Sequence, residues 1–289
     1  MRYVALKGRI GRFEDDGSLA ILDVDSRGSL ADFLAAGESL ATLEGARVGS
    51  RSDPLDLVPA PIVGPRSTIY GIGLNYHSKQ EATGREPPEY PTLFIKSTAA
   101  LGLPGAAVSL PEEAPNCVDY EGEIAVVLGA PLLSASPNEA TAAIAAVVPA
   151  NDVTARDVMR NTGNPTLAKS FPGFAQFGSA VLDPRAYGGI GSLELRTVVN
   201  GEIRQRDTGA GMLIDAVELL VLLSRYVQIR PGDVVLTGTP AGTGEETNRY
   251  LRTGDVVEVS VGDLPPLRST IAARSSRPAA SADSKELHA

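Results

Sequence analysis

Three carboxylates stand at alternate positions in Asp119-Tyr120-Glu121-Gly122-Glu123, which runs directly into Ile124-Ala125-Val126-Val127-Leu128. The β-branched run predicts a buried strand. Residues two apart on a strand share a face, so Asp119, Glu121 and Glu123 are expected to point the same way, with Ala125 and Val127 next in the row. Neighbouring carboxylates in such a row would be about 6–7 Å apart. At an effective dielectric of ~20 each adjacent pair repels by roughly 2–3 kcal/mol, and apolar neighbours that exclude water add to this. Such a row needs a positive group within it. A hard divalent cation is the simplest choice, because Mg2+, Mn2+ and Ca2+ prefer carboxylate oxygen. The alternative is an edge strand with a solvated acidic face. Asp152, within Asn151-Asp152-Val153-Thr154-Ala155-Arg156-Asp157, shifts the balance toward a metal: it is a fourth acid, able to return to the same place after an intervening helix and short strand.

These two segments, in this order and about thirty residues apart, resemble the fumarylacetoacetate hydrolase family. The resemblance continues through Lys169-Ser170-Phe171, Val199-Asn200-Gly201-Glu202 and the run from Gly232 to Gly242, and spans roughly residues 63–273. It implies a β-rich α+β fold, a mixed β-sandwich or roll, in a chain that pairs as a homodimer. It further implies that Glu121, Glu123 and Asp152 bind the metal, Mg2+ or Mn2+ with Ca2+ as a further possibility. Lys169 aligns with the family's active-site lysine, Gln176 with a residue that hydrogen-bonds the bound acid, and Thr208 with a threonine near the substrate. The activity implied is metal-dependent chemistry on 2-oxo or β-diketo carboxylic acids through a shared enolate. Hydrolysis of a C–C bond, of the acylpyruvate or fumarylacetoacetate type, is the first expectation. Isomerisation, tautomerisation or decarboxylation on the same site is the alternative, as is a lapsed member that only binds metal.

One departure bears on that choice. Gly73-Leu74-Asn75-Tyr76 resembles a family segment that usually continues as Asn-Tyr-x-x-His-x-x-Glu, whose His–Glu pair activates water. This chain reads Asn75-Tyr76-His77-Ser78-Lys79-Gln80-Glu81-Ala82, with Lys79 at the histidine position and Ala82 at the glutamate position. The chain has two histidines, and His288 lies in a polar tail. Imidazole suits proton transfer near neutrality, so a slipped loop would bring His77 and Glu81 into use as the base pair. Otherwise His77 is a surface residue and the hydrolytic base is missing. Pro172, where the family often has Asp, is a second departure.

The remaining polar candidates are secondary. Lys96, on the predicted strand Thr92–Ser97, supplies counter-charge to the acids. Arg156 either pairs with Asp157 or reaches a substrate carboxylate. The run Leu236-Thr237-Gly238-Thr239-Pro240-Ala241-Gly242 is glycine-rich but lacks a Gly-Lys-Ser/Thr or G-x-G-x-x-G pattern. It is therefore expected to hold an organic carboxylate on the N–H groups of Gly238 and Thr239, not a nucleotide. Cys117 is the single cysteine and is read as structural;.

Residues 1–62 form a small leading domain and linker, with strands at Tyr3–Leu6 and Leu19–Val24 joined by a turn at Asp15-Asp16-Gly17, and prolines 54, 59, 61 and 65 beyond;. Residues 63–273 form the catalytic domain. The loop Glu86–Pro91 is a plausible lid. A capping box at Ser136-Pro137-Asn138-Glu139 starts a helix expected to reach about Val148, and a buried helix is expected over Met212–Val227. Residues 274–289 are expected to be a disordered tail. The net charge of −9 argues against a nucleic-acid partner;. No apolar run approaches membrane-spanning length, the first residues predict no signal peptide, and one cysteine fits a cytoplasmic setting.

Overall fold

The computed structural model describes residues 1–24, 29–52, 58–86, 90–114 and 116–273. The expected tail over 274–289, Pro54 in the linker and residues 87–89 of the expected lid lie outside the described residues.

The strands in chain order are β1 (Arg2–Leu6), β2 (Arg9–Phe13), β3 (Leu19–Asp23), β4 (Arg47–Ser52), β5 (Ile69–Gly73), β6 (Thr92–Lys96), β7 (Val108–Ser109), β8 (Val118–Asp119) and β9 (Gly122–Leu128). After these come β10 (Ile144–Asp152), β11 (Thr154–Ala155), β12 (Ala175–Phe177), β13 (Ala180–Leu182), β14 (Glu194–Val199), β15 (Glu202–Thr208), β16 (Val234–Leu236), β17 (Val256–Val261) and β18 (Leu267–Ala272). The α-helices are short: α1 (Leu30–Ala35), α2 (His77–Thr83), α3 (Pro137–Ala143), α4 (Arg156–Thr162), α5 (Pro165–Lys169), α6 (Ala216–Ser224) and α7 (Gly244–Thr247). The expected β-rich α+β fold is what forms. Among the described residues no helix is long and apolar enough to cross a membrane.

A large mixed sheet runs β4-β3-β2-β1-β13-β10-β9-β16-β5-β6, with β12 also on β10, and a five-stranded sheet runs β15-β14-β17-β18-β7. β16 pairs with β5 in parallel, and β9 with β10 and β16 antiparallel. β9 is buried on both faces, as a central strand between two covered layers must be;. Ile124, Val126 and Leu128 pack in one core with Val257 and Val259 of β17 and Leu219 and Leu223 of α6. Ala125 and Val127 pack in a second core with Leu30 and Leu34 of α1. The leading strands β1–β4 continue the large sheet, because β1 pairs with β13. The turn at Asp15–Gly17 joins β2 to β3, and β2 was not foreseen between the two expected strands.

Three local expectations are corrected. The capping box at Ser136 and Glu139 forms as expected, but α3 ends at Ala143. Ile144–Asp152 is strand β10, paired with β9 over Ile144↔Leu128 to Asn151↔Gly122. Alanine favours helix locally, but a run buried on both faces beside β9 is decided by the sheet. The buried helix α6 spans only Ala216–Ser224, capped by Asp215, whose carboxylate accepts the N–H groups of Val217 and Glu218. Last, the acidic row is broken: β8 stops at Asp119 and β9 begins at Gly122, so Asp119 pairs through β8 with β11 while Glu123 pairs with β10.

Candidate active site

The β9–β10 register builds the acidic cluster. Glu123 lies opposite Ala150, and Gly122 opposite Asn151, so Asp152 at the end of β10 comes alongside Glu121 and Glu123. The Asp152 N–H donates to the Glu121 carbonyl at 2.8 Å, and the Glu121 N–H donates to Asn151 Oδ1 at 3.1 Å, which fixes the irregular corner before β9. Gly122 is required there: a Cβ on it would lie 1.9 Å from Thr197 Oγ1 of the facing sheet. Glu121, Glu123 and Asp152 are all buried, and each places a carboxylate oxygen within 4.8 Å of the others.

Three cations surround the cluster. Lys169, at the end of α5, donates from Nζ to Glu121 Oε2 and Asp152 Oδ2, both at 2.5 Å, and to Thr154 Oγ1 at 2.9 Å. Its ammonium also stands 4.9 Å from the centre of the Phe94 ring. Lys96, fully buried, pairs with Asp152 and donates to the Phe174 carbonyl at 2.8 Å. Arg156 donates from Nε to Asp119 Oδ2 at 2.8 Å and from Nη2 to Glu121 Oε1 at 2.5 Å. Asp119 is held in turn by the N–H groups of Gly244 and Glu245, at 2.6 and 3.0 Å. The expected Arg156–Asp157 pair is therefore replaced by Arg156–Asp119, and the guanidinium is committed to protein carboxylates, Glu245 included.

Burial raises the carboxyls of both Glu121 and Glu123, and the neighbouring charges then separate two roles;. At Glu121 burial is outweighed by Arg156 and Lys169, which hold the carboxyl well below the usual range. At Glu123 burial and the charges of Asp152 and Glu121 act together and push it well up. At Lys169 burial is outweighed by Asp152 and Glu121, so the ammonium holds its proton more tightly than a free lysine. Glu123 accepts the Gly238 N–H at 2.7 Å, and the ion pairs of Lys96, Lys169 and Arg156 reach Asp152, Glu121 and Asp119 instead. The Tyr76 hydroxyl, fully buried and within the field of Glu123, has no hydrogen-bond partner among the described residues. Three converging carboxylates, one of them with no ion pair among the described residues, and an unpartnered hydroxyl at their margin form a donor set that fits a hard dication;.

A cavity of about 280 Å3 opens beside the cluster, lined among others by Leu74, Lys79, Arg85, Phe94, Lys169 and Glu245. A larger cavity of about 380 Å3, near Ile190, Met212 and Val217, is mostly apolar and holds none of these groups. Arg156 and Thr239 also line the smaller cavity. The Gly238 N–H, expected to hold a substrate carboxylate, is bound to Glu123. The Thr239 hydroxyl donates to the Gly122 carbonyl and accepts from Gln205 Nε2, each at 2.8 Å.

Other expected residues fall outside the cavity wall. Gln176 is buried, with Nε2 donating to the Gly173 carbonyl at 3.0 Å and Oε1 accepting from Ser269. Thr208 is exposed at the end of β15. His77 and Glu81 are both exposed on α2, while Lys79 is buried. The helical period explains this: residues four apart share a face, whereas residues two apart are turned about 200°. Asn75 fixes the helix start, its amide donating to the Ile214 and Thr237 carbonyls at 3.0 and 2.8 Å, and Ser78 donates to Asp207 Oδ2 at 2.7 Å. Lys79 Nζ donates to Thr243 Oγ1 at 2.7 Å and pairs with Glu246. No imidazole lines the cavity among the described residues, and His288 lies outside them.

Asp119 as the anchor of Arg156, and Lys79, Arg85 and Phe94 as cavity wall, emerge only in the structure. A helix begun at His77 would have signalled the inward turn of Lys79.

Comparison with known proteins accords with this geometry. The fumarylacetoacetate (FAA) hydrolase C-terminal family matches residues 68–272. The oxaloacetate tautomerase YisK of Bacillus subtilis is 31% identical over 216 residues, 73% of this chain and 72% of that protein. The 2,4-didehydro-3-deoxy-L-rhamnonate hydrolase of a Sphingomonas species is 31% identical over 242 residues, 81% of this chain and 84% of that protein. Among solved structures, fumarylacetoacetate hydrolase from Exiguobacterium antarcticum superposes with a TM-score of 0.79 at 27% identity, covering 95% of this chain and 100% of that one.

Proposed function

The chain belongs to the fumarylacetoacetate hydrolase family, and from that premise we propose that it is a divalent-cation-dependent enzyme that interconverts keto and enol forms of a 2-oxo acid. The observation that carries this choice over C–C hydrolysis is the orientation of α2. The inward position, where hydrolases of the family place a histidine, holds Lys79 tied to Glu246 and Thr243, and His77 and Glu81 point outward. An ammonium in an ion pair donates hydrogen bonds and accepts none, so it does not draw a proton from water.

A dication held by Glu121, Glu123 and Asp152 supplies Lewis acidity toward the oxygens of a bound 2-oxo acid. Tautomerisation moves one proton between C3 and the keto oxygen, and Glu245, a carboxylate on the cavity wall outside the acidic cluster, is the group placed to carry it;. The other groups hold and orient. Lys169 keeps its proton and presents a fixed positive charge beside the cluster, where negative charge grows on the keto oxygen as the enol form is approached;. Arg156 and Lys96 fix Glu121 and Asp152, so the carboxylates keep their orientation;. Leu74 and Phe94 narrow the cavity and exclude water from its wall;. The tautomerase activity named for the Bacillus subtilis relative supports this reading.

The test follows enol absorbance of oxaloacetate in the presence of Mn2+, alongside pyruvate release from oxaloacetate and cleavage of an acylpyruvate. Fast loss of the enol signal, with neither pyruvate release nor cleavage above background, is the expected result. Efficient acylpyruvate cleavage that His77→Ala abolishes would restore the hydrolase reading.

A further inference from the structure

Lys79 has a hydrogen-bonding capacity that its protein partners leave unfilled. An ammonium offers three N–H groups, and two are taken, by Thr243 Oγ1 at 2.7 Å and by Glu246. Glu246 is itself fixed, since its second oxygen accepts the Gly242 N–H at 2.5 Å. The lysine is therefore locked in place and still lines the cavity that contains Glu121. Arg85 adds a second cation to the wall. It follows Gly84, whose left-handed conformation (φ +61°) ends α2 and turns the chain. Arg85 is exposed, lines the same cavity, and pairs with no carboxylate among the described residues.

Building on the 2-oxo acid reading above, we infer that Lys79 and Arg85 form a second anion subsite, and that the substrate is a small 2-oxo dicarboxylic acid whose distal carboxylate rests on them. A cavity of about 280 Å3 suits a small acid;. A substrate with an apolar tail would set that tail against a desolvated N–H of Lys79, and an unmatched buried donor is costly. A carboxylate would instead make charge-assisted bonds there. Lys79 is then a specificity residue at a position where the family's hydrolases carry their base.

Isothermal titration of the Mn2+-loaded protein tests this with three probes. Oxalate fills only the 2-oxo acid end, oxaloacetate adds a distal carboxylate, and 2-oxobutanoate replaces that carboxylate with a methyl group. The wild-type protein is expected to bind oxaloacetate at least about tenfold more tightly than 2-oxobutanoate, the value of one charge-assisted hydrogen bond. Arg85→Gln, at an exposed position, should narrow that preference, and the pair Lys79→Met with Glu246→Gln, which leaves no unpaired buried charge, should abolish it. Oxalate affinity should stay within about twofold in both, and Lys79→Arg should retain the preference. Equal wild-type affinity for oxaloacetate and 2-oxobutanoate overturns the subsite, as does a loss shared equally by oxalate. Failure of oxalate to bind the wild-type protein would instead overturn the 2-oxo acid reading itself.

Discussion

The Glu123 carboxylate accepts the backbone N–H of Gly238 at 2.7 Å, and that contact depends on a backbone conformation suited to glycine, with φ +99° at Gly238. A Cβ at this position would also stand 2.9 Å from the Asn75 Cβ. Gly238→Ala is therefore expected to destabilise the protein by about 1–3 kcal/mol and to weaken dication binding, because Asn75 and Glu123 shift together. Urea denaturation and Mn2+ titration of the variant check the two effects separately.

Lys96 and Asp152 form an ion pair in which neither side chain reaches solvent. Removing one partner of a buried pair leaves an uncompensated charge, at a cost of about 3–5 kcal/mol. Lys96→Met should lower stability by that amount in metal-free protein, and by less with Mn2+ present, since the ion shares the charge of Asp152. Denaturation midpoints measured with and without Mn2+ give the comparison.

The opposed shifts at Glu121 and Glu123 make a pH prediction. For Glu123 the folded value lies above the ordinary 4.5, so its contribution is fully present below that value and is lost as pH rises through the raised one. For Glu121 the folded value lies below the ordinary 4.5, so its contribution is present above that value and is lost as pH falls through the lowered one. Metal binding must displace the Glu123 proton, so affinity should rise with pH until Glu123 is ionised. Calorimetry in buffers of different ionisation heat should register proton release on Mn2+ binding, and Glu123→Asp should keep that release while weakening the site. Binding without proton release at a pH just above 4.5 would count against the assignment at Glu123.

His77 is exposed on the outer face of α2. His77→Ala should leave the tautomerase rate within about twofold of wild type, the usual range for a surface substitution. A rate loss of a hundredfold or more would place imidazole in the chemistry.

The acidic cluster was legible because Glu121 and Glu123 stand two apart at the head of β9 and meet Asp152 at the end of β10 once the two strands pair antiparallel. The break at Tyr120-Glu121 was not legible. It follows from β8 pairing with β11 and from the facing sheet that admits only glycine at position 122. The alanine-rich start of β10 resembled helix because local propensity cannot report burial on two faces;. The orientation of α2 depends on where the helix begins, which Asn75 sets through Ile214 and Thr237, residues distant in sequence. The joining of β1 to β13 is likewise a long-range pairing with no local mark.

The acidic cluster of Glu121, Glu123 and Asp152 is proposed to hold one dication. Titrating Mn2+ and following the paramagnetic resonance of the free ion measures it directly. One tight site per chain is expected in the wild-type protein, with affinity reduced at least about tenfold in Glu123→Gln and in Asp152→Asn. Wild-type protein that takes up no Mn2+, or variants that bind it as tightly as wild type, would contradict the account.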